Sequence, residues 1–416
     1  MKAAPFLLII LFLLNACTTT EPEDKFTFTA EDVSCTEVWL NIEANGSVII
    51  EREGAEPKQI EVSGSFTFYE DGLKPNTEYN YTATSRDKKL TAGITTLDTT
   101  GNDFTWQTFI FGGEKGGGKL SDVAIINEND IWAVGEIYMP DTNENSHTVY
   151  NAVHWDGISW ELKQIWFYVI CGQDDKTNYP ISSIYIFDKN EIWVSSSGRQ
   201  IVRINEGMQT ETICLPFSMS INKIWGSSPN DVYVVGNNGS IAHFDGSSWT
   251  KIESGTGLPI LGLYGAKDSK YGNYEILCVA NSYGSPEGSK VISIKGGSAS
   301  ELWNDGLPYG LDAVWFVPNR KYIAVGDGLW ETRIPVDNWV RQSILPALHK
   351  TSIDGQNLND IVVCGAFWLL AHYNGVNWKT YFPLTSGSFT NVKIKANIIV
   401  AVGGVDSKAV VAIGKR

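Results

Sequence analysis

The sequence predicts an all-β chain: a small sandwich followed by a seven-bladed β-propeller closed by an N-terminal strand. Three observations predict it. The 416 residues are 43% hydrophobic, 12% aromatic and 19% charged, with 40 Gly and 15 Trp. That balance fills a core and suits sheets joined by tight turns. Apolar residues alternate in short runs broken by Asn-Gly and Asp-Gly pairs, the pattern of antiparallel hairpins. One unit also recurs through the last three quarters of the chain with a period of about 40 residues, the size of a four-stranded propeller blade.

The first 16 residues read as a signal peptide. Lys2 supplies the positive start, and the apolar stretch 6–14 is too short to span a bilayer. It ends in Leu14-Asn15-Ala16-Cys17, which resembles a bacterial lipobox. The resemblance implies that the Cys17 thiol is alkylated by a diacylglycerol and becomes the mature N-terminus, so the implied partner is the membrane, reached through the lipid on Cys17. Residues 17–24 form a polar tether. Thr18 follows the cysteine where an Asp would retain the chain at the inner membrane, and Glu21, Glu23 and Asp24 resemble the export signal of Bacteroidota surface lipoproteins. The expected location is the outer membrane, on the periplasmic side or the cell surface. Two acyl chains with an N-acyl group suffice for stable anchoring. Five cysteines remain: Cys35, Cys171, Cys214, Cys278 and Cys364. An odd number argues against a disulfide framework, and pairing of Cys171 with Cys214 stays open. Cys278 and Cys364 sit in apolar runs and read as small buried hydrophobes.

Residues 25–98 contain seven candidate strands, with Asn45-Gly46 as a hairpin turn. Leu73-Lys74-Pro75-Asn76-Thr77-Glu78-Tyr79 resembles the corner of a fibronectin type III domain, where the Tyr hydroxyl is tied to upstream backbone. Trp39 matches that family's core Trp. The resemblance implies a spacer or platform rather than an activity. Residues 99–103 read as a linker, and Asp98-Thr99-Thr100 fits a short O-glycosylation motif of Bacteroidota.

From 104 to 416 the marker is N-[DE]-Φ-[WYV]-x-V-G, read as the second strand of each blade. It ends at Gly135, Ser196, Gly236, Ala280, Gly326, Gly365 and Gly403. The seventh unit stops after a third strand, while residues 104–111 (FTWQTFIF) look like a stray fourth strand. Closure of the last blade by this N-terminal strand is therefore expected, since it leaves no open inner edge. The run 225–249 resembles propeller lipoproteins of Bacteroidota, a group often labelled glucosyltransferase. No nucleotide-sugar Rossmann pattern or D-x-D supports that label here. The sialidase Asp-box is not met either, because Asp245 and Gly246 are adjacent.

Function is harder to read. A net charge of −15 opposes phosphate contact, so nucleic acid is not an expected partner. No nucleophile elbow, P-loop or H-E-x-x-H occurs, and no catalytic residue, metal site or cofactor is expected. His154, His243 and His372 share one repeat position and read as structural, because equivalent positions of different blades lie apart around a ring. Asp130, Glu191, Asp231 and Asp360 read as turn residues bonding their own backbone. His147 and His349 lie in loops. Insertions at 138–150, 171–180 and 281–289 gather by topology on one face, where loops on a rigid scaffold carry binding residues. Trp368, Tyr283, Tyr138, Trp330, Phe367 and Tyr179 are the aromatics near it, able to stack on a sugar or to pack between blades. The expected function is a non-catalytic, lipid-anchored envelope protein whose propeller face recognises a neutral glycan or an envelope protein. The alternatives are a glycan-active hydrolase or lyase with a channel site, and a structural partner in an envelope complex.

Overall fold

The computed structural model describes residues 25–141, 146–282, 288–302, 307, 310–382 and 386–416. Strands make up 64% of it, and the described residues contain no helix. The chain divides after Leu97 into two compact units.

In the first unit, β1 (Thr27–Val33), β2 (Val38–Arg52), β3 (Lys58–Glu70), β4 (Glu78–Ser85) and β5 (Lys88–Thr95) form one antiparallel sheet. Seven strands were expected and five form, because two expected pairs fuse. Asn45-Gly46 is not a hairpin turn; it lies inside β2, opposite Ser63 and Val62 of β3. Gly46 (φ 114°) and Gly64 (φ 85°) take backbone angles that side-chain-bearing residues rarely adopt. The two long strands bend there without ending. The first half of β2 thus pairs with β1, and its last residues, Ile49–Arg52, pair with β4. Trp39, Leu40, Ile42, Val48, Phe68 and Tyr81 fill the interior. The Tyr79 hydroxyl accepts the Lys74 backbone N–H at 2.9 Å, the tie expected of that corner.

The second unit contains, among the described residues, seven four-stranded antiparallel sheets. Each of the seven marker segments forms the second strand of its sheet. The first strands are Gly117–Asn127, Ile181–Asp188, Ile221–Ser228, Ile260–Lys267, Leu311–Val317, Lys350–Asn357 and Ser388–Lys395. Each packs on the next, and the last packs on the first, so the sheets form a closed ring. Hydrophobic core lies between neighbouring sheets. Leu120, Ile131 and Val153 of the first meet Val400, Val402 and Val411 of the last. The second strands are covered on both faces, which is why they read as unbroken apolar runs such as IWAVG rather than alternating ones. Each Val, Leu or Ile so buried contributes about 1.5–3 kcal/mol.

The last sheet takes its fourth strand from β6 (Thr105–Phe111), which pairs antiparallel with Lys408–Lys415. Residues 99–103, expected as a linker, are held along the sixth sheet. The Thr100 amide donates to the Asn374 carbonyl, its hydroxyl donates to the Asn359 carbonyl, and Asn102 Oδ1 meets His372 Nδ1. Arg416 then grips Asp360 with two nitrogens, at 3.0 and 2.8 Å.

Neighbouring first strands are joined by aromatic rings laid on glycine. Phe187 covers Gly226, Trp225 covers Gly265, and Trp315 covers Gly355. Between the first and second sheets the chain makes an extra hairpin, Phe167–Tyr168 with Lys176–Thr177.

Candidate binding face

Antiparallel order puts two kinds of connection on one face of the ring: those from second to third strand, and those from one sheet to the next. The opposite face carries the first-to-second and third-to-fourth turns.

The repeated acids sit on that opposite face, and their role differs from the one expected. Each opens a second strand and reaches across to the third. His154 Nε2 meets Asp130 at 2.8 Å, His243 Nε2 meets Asp231 at 2.7 Å, and His372 Nε2 meets Asp360 at 2.6 Å. In the second sheet Arg203 takes the histidine's place and donates to Glu191 at 2.7 Å. Turn bonding falls instead to the residue three positions earlier, as where Asn127 Oδ1 accepts the Asn129 amide. Each histidine ring also stacks on the aromatic directly opposite it on the second strand, His154 on Trp132 at 4.5 Å and His243 on Tyr233 at 4.2 Å. Burial works against the Asp360 charge, but His372 and Arg416 hold its carboxyl below the usual range. These pairs are separate struts, one to a sheet.

A central cavity of about 540 Å³ is lined by the seven first strands. Asp122 accepts from Lys223 Nζ at 3.0 Å and from the Ser183 hydroxyl at 3.1 Å. Asp354 accepts from Lys393 Nζ at 3.4 Å and from the Ile394 amide at 2.9 Å. Burial pushes the Asp354 carboxyl up. Both acids are thus matched by a lysine and by main-chain or hydroxyl donors. Among the described residues no three His, Cys, Asp or Glu side chains gather as a metal site.

On the face of the inter-sheet connections lies a second cavity of about 510 Å³, walled by Val169, Ile170, Tyr179 and Pro180 on one side and by Ser196, Ser197, Gly198, Arg199 and Gln200 on the other. Val169, Ile170 and Tyr179 are 47%, 55% and 39% exposed. The sequence reading found the insertion and Tyr179, and missed Val169, Ile170 and Arg199. The available signal was the run Trp166-Phe167-Tyr168-Val169-Ile170, five apolar residues outside the blade repeat. The Cys171–Cys214 disulfide closes this excursion onto the end of the second sheet. The pairing left open by the odd count is thus made, and the other described cysteines, Cys35, Cys278 and Cys364, are buried outside any disulfide. Burial raises the Cys364 thiol to about 12.

No protein-family model and no curated protein matches the chain. Among solved structures, YCF48 bound to D1 peptide matches with a TM-score of 0.54 at 16% identity, over 77% of this chain and 100% of that one. YCF48 from Cyanidioschyzon merolae matches at 0.49 and 14%, over 74% of this chain and 98% of that one. The WD40 β-propeller domain of Doa1 matches at 0.48 and 13%, over 76% and 98%. The fold is that of a β-propeller.

The propeller places the expected binding aromatics differently from one another. Trp368 is half-buried, with Phe389 at 4.7 Å and Phe382 at 6.3 Å, so its ring is engaged between two blades. Trp330 is half-buried against the core between the fourth blade and its own fifth, its indole N–H enclosed without a partner and Arg341 above its ring. Tyr138 is half-buried on its blade and donates its hydroxyl to Glu136, which raises its pKa. Phe367 is 53% exposed, at the tip of a turn where it and Trp368 both have positive φ. Tyr283 and Cys17 lie outside the described residues. Among the described residues, Tyr138, Trp330, Phe367 and Trp368 are spread over the first, fifth and sixth blades and form no single stacking platform.

Proposed function

We propose that the chain is a non-catalytic binding protein. It is held at the outer membrane through a lipid on Cys17, with a fibronectin type III-like spacer and a seven-bladed propeller that presents the face of its inter-blade connections to a protein ligand. One observation carries this reading: the insertion between the first two blades exposes Val169, Ile170 and Tyr179 beside a cavity while a disulfide ties it down. Loops fixed on a rigid scaffold are where recognition resides, and exposed apolar groups gathered in one place mark an interaction site. The Tyr79 tie supports the spacer, and the seven sheets in a closed ring support the blade number. The YCF48 structure with bound D1 peptide is an instance of this fold holding a peptide. A neutral glycan is the weaker ligand reading, because Trp368 and Trp330 are already engaged by neighbours and the exposed groups at the cavity are mainly aliphatic.

The full chain in detergent is to be applied to an array of tiled envelope-protein peptides and to a glycan array. Retention of peptides without their cleavage is expected; turnover of a glycan or a peptide overturns the reading. The anchor has its own test. Cys17→Ala should shift the chain from the detergent phase to the aqueous phase, and unchanged partitioning overturns the lipid.

A further inference from the structure

Resting on that binding reading, we propose that the cavity beside Ile170 is a docking site for a peptide segment carrying one or two apolar side chains next to a carboxylate. Arg199 decides the chemistry. It is the one charged residue lining this cavity, and among the described residues no carboxylate is paired with it. Its Nη1 donates to the Leu215 carbonyl at 2.9 Å, and the Leu215 amide returns a bond to the Arg199 carbonyl at 3.0 Å. The head group is therefore positioned yet keeps donors for an incoming anion, for which a guanidinium fork is the preferred partner. The opposite wall is apolar and open, supplied by Val169, Ile170, Tyr179 and Pro180.

Cys171 follows Ile170 directly, and Cys214 precedes Leu215 directly. The disulfide between them sets the spacing of the apolar wall and the arginine. The polar Ser196–Arg199 rim suits the amides of an extended peptide better than a methylene chain, so a peptide is favoured over a fatty acid.

The test uses the full chain in detergent and a displayed library of random octapeptides. Selected peptides are resynthesised with the acidic side chain amidated, and dodecanoate serves as competitor. Selection of sequences with a carboxylate beside apolar residues is expected. Their affinity should fall at least tenfold in Arg199→Ala and about tenfold in Ile170→Ser, with melting temperature unchanged. It should be partly restored in Arg199→Lys and lowered by reduction of the disulfide. Peptide binding indifferent to both variants overturns this site while leaving the binding role standing. Selection of no peptide defeats the broader reading as well. Displacement of the peptides by micromolar dodecanoate, or equal binding of amidated peptides, overturns the peptide carboxylate as occupant.

Discussion

His349 holds two carboxylates at once. Its Nε2 meets Asp312 at 2.7 Å and its Nδ1 meets Asp327 at 2.8 Å, tying the fifth blade to the start of the sixth. Asp312, then Asp327, raises its pKa above the ordinary 6.5, against the effect of burial. Both ring nitrogens can donate only in the imidazolium form. The stabilisation is fully present below the unfolded value and is lost as pH rises through the raised folded value. Losing one such charge-assisted bond costs about 1.5 kcal/mol, or roughly 2–4 °C in melting temperature. Melting followed from pH 6 to pH 9 should show that decline relative to His349→Gln, and parallel curves for the two proteins would refute it. Lys350 is lowered to about 8, chiefly by its own burial, and is present in both proteins. The sequence shows His349 as a lone loop histidine, because its partners lie 37 and 22 positions upstream and only the ring brings them to it. The His154, His243 and His372 series is legible as structural from its repetition, but its acid partners are not. Each acid lies two positions before the residue opposite its histidine, so their meeting is a diagonal set by register, which spacing alone does not give.

Glycines at the joints between blades are elements of packing, not of turning. A Cβ on Gly265 would lie 2.3 Å from the Trp225 ring, and one on Gly355 would lie 2.7 Å from Trp315. Overpacking of this kind costs about 1–3 kcal/mol. Gly265→Ala should therefore lower the midpoint of urea unfolding, whereas Gly207→Ala, in an open turn with positive φ and no atom within 4 Å, should cost only its backbone strain. Equal midpoints for the two variants would remove the joint. The marker strands are legible because burial on both faces leaves a run of consecutive apolar residues. Asn45-Gly46 misleads for the opposite reason. The same pair that closes a hairpin also permits a bend within a strand, and the partner strand, with Gly64 nearly opposite, settles which occurs.

At the scale of the molecule, the two units make different demands on the chain. Removing residues 25–97 takes away a separate core and should leave the melting of the propeller cooperative. Removing β6 strips the last blade of its fourth strand and exposes Lys408–Lys415 as an edge. Calorimetry should then show a broadened, earlier transition, and identical traces for the two truncations would mean that β6 does not close the ring. This closure is legible from the sequence as bookkeeping: three strands at one end and one spare at the other. The cavity beside Ile170 is not, because Val169 and Ile170 lie in the excursion between the first two blades and Arg199 lies in the second blade, and they meet only where the disulfide ties that excursion down.

The clasp between β6 and Lys408–Lys415 also sets a timetable. On a ribosome, β6 is made roughly 300 residues before its partner, a separation that places this contact among the slowest to form. The first unit is complete by then and folds first, as N-terminal units do. The propeller has no intermediate length at which it is whole: every prematurely terminated product is an open arc with unpaired strands at both ends. Such arcs are ready substrates for proteases and for edge-to-edge aggregation.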